Sequence, residues 1–523
     1  MTGKTFYLTT AIDYANGDPH FGHALEKIGA DVIARSHRQM GEQVHFCIGM
    51  DEHGQKVAQT AAALGIEPQA FVDQVAVTFR AMWDRLGISY DQFIRTTDAA
   101  HKSGVRAFIK RIAEASPEDF YEKEYEGWYC VGCELFKRDD EIVDTKCVLH
   151  PTRDLQWTKE RNWFFRLSKY QGFLSRLIEE RPDFIQPETR RNEIKALIAS
   201  GLEDLSITRA RLAWAVPFPI PSPAGGEPQG TWVWFDALPN YLTATGYPAK
   251  GFKDRWPAQL HIVGKDITRL HAVVWPAMLQ SAELALPDRV WAHGFISFGG
   301  ERFSKSAGVK IELTDEIGRF GADAFRYFLL REVPFDGDGS YSVERFEAVY
   351  TSELANGLGN LASRVIAMIE KYRDGVVPDG SPTALDGDDG IDLTTFVGAL
   401  DGSRGYLCHE ALDAVARMTS RANLFIQQSQ PWTLAKDPAN TVALDVVLAT
   451  LARSLARQAV ALAAFMPGKA ESLWSQLGGP ASAASVNYSA LASLSTTGWH
   501  VQKGEGLFPR PESPKAEQAP ALG

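Results

Sequence analysis

Over the first 115 residues, short unbroken apolar runs alternate with longer stretches of helical period. TFYLTTAI, at 5–12, is rich in β-branched and aromatic residues and predicts a buried strand. A helix follows through GDPHFGHALEKIGADVIARSHRQMG at 17–41. QVHFCIGMDEHG, at 43–54, is a second apolar run that ends in a polar, glycine-bounded loop. The stretch 63–88 is again periodic helix. Strand, helix, strand, helix at this spacing predicts a parallel α/β sheet. Ligands bind such sheets beyond the carboxyl ends of the strands, so the loops at 9–23 and 49–55 are placed for a site.

The alternation breaks near 115. Residues 121–155 are aromatic, charged and cysteine-bearing, and the proline-rich AVPFPIPSPAGGEPQG at 215–230 is a connector. Strand-like runs resume with LHIVGKDI and RVWAHGFISF, and a helix is expected from near Thr314. The middle therefore reads as an insertion in a split α/β domain. From about 344 to 478 long Ala/Leu/Val-rich periodic stretches, such as DVVLATLARSLARQAVALAAF, predict a helix bundle. Beyond about 480 the chain is rich in Ser, Ala, Gly and Pro, and its last dozen residues are expected to be disordered. The expected divisions are 1–115, 116–230, 231–343, 344–480 and 481–523.

Composition narrows the class. The 523 residues suggest roughly two to four domains. A net charge of −11 argues against a generally basic nucleic-acid coat protein, though not against a local basic face. There is no run of about 20 apolar residues, so no membrane span is expected. MTGKTFYLTT lacks the apolar core of a signal peptide. Five cysteines in so long a chain do not form a disulfide scaffold, and a reducing cytoplasm is the expected location.

Three of those cysteines, with a histidine, fall in 130–150 as C-x2-C-x13-C-x2-H: Cys130, Cys133, Cys147 and His150. Two short-spaced pairs on tight turns suit a tetrahedral structural Zn2+ with no open position. The alternative is a reduced pair with an incidental Cys and His. Cys47 and Cys408 lie in apolar runs and are expected to be inert buried thiols.

Asp18 is a good N-cap and Pro19 a good first helical residue, which sets His20 and His23 on one face of the first turn. That helix terminus suits phosphate, and Gly22 leaves room for a flat base against the backbone. Two surface histidines on a turn are the alternative. GGERFSKSAG, at 299–308, combines glycines, Arg302, Lys305 and small hydroxyls. It is either an exposed basic turn or a hinged loop that closes over a polyphosphate.

Together, His20-Phe21-Gly22-His23 and Arg302-Phe303-Ser304-Lys305-Ser306 resemble the two signatures of class I aminoacyl-tRNA synthetases. AIDYANGDPHFGH, GMDEHGQK, the cysteine knuckle, WVWFDALPNYL, VGKDITRLHAVVWPAM, LGNLASR and SQPWTLAK single out the methionyl-tRNA synthetase family, in order from residue 5 to about 480. The single knuckle resembles the one-zinc bacterial subgroup. The resemblance implies a Rossmann-like parallel sheet split by a zinc-knuckle insertion, followed by an all-α anticodon-binding bundle. It implies activation of L-methionine by ATP with Mg2+, then transfer to the 3′ end of methionine tRNAs. His20, Gly22, His23, Arg302, Ser304, Lys305 and Ser306 would contact ATP, with His20, His23 and Lys305 acting on the phosphates. Ile12, Tyr14, Trp234, Ala237, Leu238, Tyr241 and His271 would line the methionine pocket, and Asp51 would hold the α-ammonium ion. Asn360, Arg364, Pro431 and Trp432 would meet the anticodon. Read without the family, the aromatics are core packing and Trp432 is a buried cap on the bundle. A monomer with no DNA and no membrane partner is expected.

Four residues depart from the family pattern: Arg302, Phe303, Asp13 and Met50. Two rivals remain. One is a synthetase for cysteine, isoleucine, valine or leucine, although the compact insertion leaves no room for the editing domain of the last three. The other is a catalytically silent RNA-binding paralogue, against which His20, His23, Asp51 and Lys305 all stand.

Overall fold

The computed structural model describes residues 4–132, 135–137, 141–148, 150–210, 212–223, 225, 228–298, 301–302 and 312–509. The chain divides into two compact units: Met1–Pro19 with Glu42–Asp84 and Ile88–Phe295, and His20–Gly41 with Arg85–Gly87 and Ile296–Gly523.

Seven parallel strands form the centre of the first unit. They are β1 (Thr5–Thr10), β2 (Asp13–Tyr14), β3 (Gln43–Asp51), β4 (Gln92–Arg95), β5 (Ile185–Gln186), β6 (Leu260–Gly264) and β7 (Val290–His293). The order is β5-β7-β6-β1-β3-β2, with β4 also paired to β3. Every residue of β6 and β7 is buried, as in a parallel sheet covered on both faces. β1 pairs with β3 on one side and β6 on the other, so the winding direction changes there. A crevice at the carboxyl end of such a switch point is where α/β sheets bind ligands. Gly49 of β3 is required by close packing, because a Cβ would lie 2.2 Å from the Ile94 carbonyl oxygen.

Between β4 and β6 the expected insertion appears as a long antiparallel ribbon, Phe120–Cys130 against Gln156–Phe165, in register from Phe120↔Phe165 to Tyr129↔Gln156. At its tip the short strands Lys146–Cys147 and His150–Asp154 pair, with Cys147 opposite His150.

In the second unit the helix Phe21–Gln39 buries most of its length. Phe21 packs against Phe298, Phe325 and Tyr341, with ring centroids 4.7–5.5 Å apart. Its middle is held by Arg326, a fully buried guanidinium. Arg326 Nη2 donates to Asp31 Oδ2 at 2.7 Å and to the Ala464 carbonyl at 2.9 Å. Its Nε donates to the Phe465 carbonyl at 2.8 Å. Near the helix end, Gln39 Nε2 donates to the Val460 carbonyl at 3.1 Å and Tyr488 Oη donates to Gln39 Oε1 at 3.0 Å.

Long helices follow, among them Asn360–Arg373, Ala384–Gly398, Cys408–Ser429 and Thr441–Leu462. The sequence predicts no membrane span, yet one stretch among the described residues, Pro438–Leu462, is long and apolar enough to cross a membrane. Of its apolar window, 61% is buried in the protein, and its Arg453 and Arg457 pair with Asp386. The segment expected as a tail is anchored by scattered residues as far as Phe508: Tyr488, Leu491, Val501, Leu507 and Phe508 are buried. These apolar residues dock singly, without a period that a sequence pattern would register. The last dozen residues lie outside the described residues.

Candidate functional site

The first unit holds all the residues expected to form the amino-acid pocket. Tyr14 of β2 sits opposite Asp51 of β3, and Ala15 N–H donates to the Asp51 carbonyl at 2.9 Å. Ile12, Tyr14 and Trp234 pack, half-buried, on the cluster that holds Leu238 and Tyr241. Ala237 ends the short helix Val233–Ala237 and is buried. Tyr241 Oη lies 2.6 Å from His271 Nε2, and His271 Nδ1 lies 3.0 Å from the Ile267 carbonyl. A carbonyl only accepts, so Nδ1 carries the proton and Nε2 accepts from the tyrosine. Trp234 meets the same imidazole edge-on at 6.3 Å. His271 lies in a π-helical turn, Leu270–Val274, a distortion frequent at functional sites. No sequence period announces it. The departures Asp13 and Met50 are buried and face each other across β2 and β3.

A polar layer that the sequence does not single out lies beside these residues. Glu52 accepts from Arg95 Nε at 2.6 Å and from the Thr97 hydroxyl. Burial raises its carboxyl, and these partners offset that only in part. His53 Nδ1 lies 2.5 Å from Asp236 Oδ2, and His101 Nε2 lies 3.0 Å from Asp236 Oδ1. Burial pushes the Asp236 carboxyl up, but the two imidazoles outweigh it and hold the group at about 2.

In the second unit the opening helix starts later than expected. Asp18 is exposed and precedes the helix, as does Pro19, and His20 is the N-cap, with φ −132° and ψ 175°. The reason is that two imidazoles do the capping themselves. Gly22 N–H donates to His20 Nδ1 at 3.1 Å, and His20 N–H donates to His23 Nδ1 at 3.3 Å. This is the reciprocal box that hydroxyl and carboxylate side chains form elsewhere. The rings stack at 3.7 Å, 19° from parallel. A Cβ on Gly22 would come within 3.1 Å of the His20 ring. A neutral imidazole that accepts through Nδ1 carries its proton on Nε2. Burial, then the neighbouring His20 and Lys27, hold His23 well below the usual histidine range, so it is neutral.

Arg302 lies in the short strand Glu301–Arg302, paired with Ile296–Phe298. Phe303, Ser304, Lys305 and Ser306 lie outside the described residues. In the helical region Asn360 is exposed and Arg364 half-buried on one helix, with Arg364 Nη1 3.3 Å from Asn423 Oδ1. Pro431 is buried at the first position of a short helix, while Trp432 next to it is 43% exposed. That exposure decides against a buried cap.

Cys130 and Cys147 are buried in one small cluster with Leu155. Cys133 lies outside the described residues, and His150 is placed by its backbone. Cys47 and Cys408 are buried, and burial pushes both thiols up to about 12, which leaves them inert.

Comparison with known proteins gives a consistent result. The family model described as tRNA synthetases class I (M) matches residues 6–154 and 138–366. The methionine–tRNA ligase of Streptomyces coelicolor is 41% identical, over 98% of each chain. That of Caldanaerobacter subterraneus is also 41% identical, over 97% of this chain and 79% of its own. The methionyl-tRNA synthetase of Mycobacterium tuberculosis, solved in complex with methionyl-adenylate, superposes with a TM-score of 0.91 at 39% identity, covering 97% of this chain and 100% of that one. Its apo form gives 0.86 at 36% identity, over 98% and 99%.

Proposed function

The chain belongs to the methionine–tRNA ligases, and from that premise we propose how its residues divide the two steps, activation of L-methionine by ATP and transfer to methionine tRNA. The placement of Tyr14 opposite Asp51, with Trp234 and Tyr241 both against His271, carries this reading. Asp51 holds the methionine α-ammonium ion. Ile12, Tyr14, Trp234, Ala237, Leu238 and Tyr241 enclose the thioether, with His271 fixing the orientation of the Tyr241 hydroxyl. Discrimination against shorter side chains is worth only about 1–3 kcal/mol per methylene, so a wall held this firmly matters.

The methionine carboxylate attacks the α-phosphorus of ATP and pyrophosphate leaves. No proton moves in that displacement, so positioning and charge stabilisation supply the catalysis. His20 and His23, with protons on Nε2, donate to phosphate oxygens as neutral groups. Gly22 accommodates the nucleotide against the backbone. Arg302, Ser304, Lys305 and Ser306 contact the polyphosphate, where Lys305 meets the charge that develops on pyrophosphate. Mg2+ bound with the nucleotide would supply further neutralisation of that charge.

Cys130, Cys133, Cys147 and His150 would hold a structural Zn2+. Two thiols buried in one cluster and a histidine opposite one of them in the ladder fit that donor set. Freshly purified protein is expected to contain one zinc per chain by elemental analysis, and protein without zinc would contradict the assignment. Asn360 and Arg364 would hydrogen-bond anticodon bases, and the Trp432 indole, anchored by Pro431, would stack on one. Such stacking is worth about 1–3 kcal/mol per base. Trp432→Ala is therefore expected to lower kcat/KM for tRNA in aminoacylation by about five- to a hundredfold, with methionine-dependent pyrophosphate exchange unchanged. Equal loss in both assays would assign Trp432 to folding. The protein is expected to act as a cytoplasmic monomer.

A further inference from the structure

Asp236 is fully buried and lies between two imidazoles that come from elements far apart in sequence. His53 follows β3, two residues after Asp51. His101 sits near the start of the helix Ala99–Ala115. Each takes one oxygen of the same carboxylate, at 2.5 Å and 3.0 Å. The chain of bonds continues beyond them, because His101 Nδ1 lies 2.8 Å from the Thr243 hydroxyl. Both side chains of Asp236 and His101 are without solvent exposure.

The turn that carries His53 is fixed from other sides as well. Trp214 Nε1 donates to the Glu52 carbonyl at 2.6 Å, and Gly54 N–H donates to the Trp214 carbonyl at 3.1 Å. The indole meets the His53 ring edge-on at 5.5 Å. Glu52 N–H donates to the Thr96 hydroxyl at 2.9 Å. Gly54 itself has φ +110°, a conformation that favours glycine.

A buried carboxylate tolerates its loss of water only when its partners are in place. The three groups therefore hold together or not at all. The elements they join are the ones that build the amino-acid pocket. His53 shares its turn with Asp51, and Asp236 shares its five-residue helix with Trp234 and Ala237. We propose that the His53–Asp236–His101–Thr243 relay is a positioning device for amino-acid recognition, fixing the separation between the ammonium anchor Asp51 and the apolar wall Trp234–Ala237. This rests on the pocket reading above. The relay touches neither reacting atoms nor nucleotide phosphates in that reading. Its loss therefore changes how methionine is held, not how ATP is bound. His53 and Asp236 lie within GMDEHGQK and WVWFDALPNYL, but neither motif nor helical periodicity marks their pairing with His101, since single histidines in apolar segments ordinarily read as satisfied core groups.

The test is steady-state pyrophosphate exchange with methionine and ATP varied separately, on Asp236→Asn, Thr243→Val and the double variant. An asparagine offers one acceptor where the carboxylate offers two, and Thr243→Val removes the far end of the relay with little change of shape. Misplacement on the ångström scale can cost up to about a hundredfold. Asp236→Asn is expected to raise the methionine KM at least tenfold, with the ATP KM within twofold of the parent. Thr243→Val is expected to raise the same constant by a smaller factor. The double variant is expected to fall short of the product of the two, as members of one network do. Should Asp236→Asn not fold, the same split is expected of Thr243→Val alone. A methionine KM within twofold of the parent in the folded variants, or both KM values rising together, would overturn the proposal. Asp51→Asn distinguishes the two levels. If it raises the methionine KM while the relay variants do not, the relay alone fails; if it does not, the pocket reading fails and takes the relay with it.

Discussion

His23→Ala is expected to lower kcat for methionine-dependent pyrophosphate exchange by about a hundred- to a thousandfold, the usual cost of a lost preorganised donor. The methionine KM should change little, because the donor acts on charge that appears in the transition state. The same substitution removes half of the capping box, in which His23 Nδ1 accepts from His20 N–H. That part of the loss costs about 1 kcal/mol of stability. Glutamine at the same position separates the two roles, since its side chain also closes a capping box. His23→Gln should recover the unfolding temperature and only part of the rate. The pH profile carries a second check. Protonation of Nδ1 would eject the acceptor and open the box. Burial, then His20 and Lys27, hold the folded pKa of His23 below the usual value, while the unfolded chain titrates near 6.5. The group is neutral in both states above that value. As pH falls below it, the unfolded state takes the proton first, so stability is lost on the acid side. Exchange should therefore show no titration of His23 from pH 6.5 to 8.

The largest effect on stability belongs to Arg326. Its guanidinium has no exposure and is paired with an equally buried Asp31 carboxylate. It also satisfies the carbonyls of Ala464 and Phe465, and that of Leu86 at 3.2 Å. Arg326→Leu leaves Asp31 charged and without the Arg326 guanidinium, although Arg35 stays 2.7 Å from it. Breaking a buried pair from one side costs about 3–5 kcal/mol, and the orphaned carbonyls add to it. Chemical denaturation should show that loss. Asp31→Leu in the same background should restore part of it, because the buried carboxylate that lost Arg326 is then gone. If the double variant is as unstable as the sum of the singles, Arg326 acts through its carbonyl contacts and not through Asp31. The helix held by this pair begins at His20, so weakening it is also expected to blunt phosphate recognition.

How much of this was legible in the sequence depended on the kind of signal. The parallel sheet was, because β1, β3, β6 and β7 are short apolar runs spaced by helices or by a compositionally distinct insertion. The residues proposed for the pocket came from motif resemblance and not from periodicity. Trp234 and Tyr241 carry the same pattern as any core aromatic, and their contacts with His271 appear only in three dimensions. The helix start was misplaced by two residues because Asp-Pro is the stronger local signal, whereas two stacked imidazoles supply the cap. Asp236, His53 and His101 were missed because their bonds join positions 135 and 183 residues apart. Packing of residues 481–509 was missed because isolated apolar residues such as Tyr488 and Phe508 dock without a repeat.

The most direct measurement is amino-acid-dependent exchange of labelled pyrophosphate into ATP by the purified chain. Methionine should support rapid exchange without tRNA, and cysteine, isoleucine, valine and leucine should not. Exchange supported by one of those four and not by methionine, or by no amino acid at all, would contradict the assignment of the site.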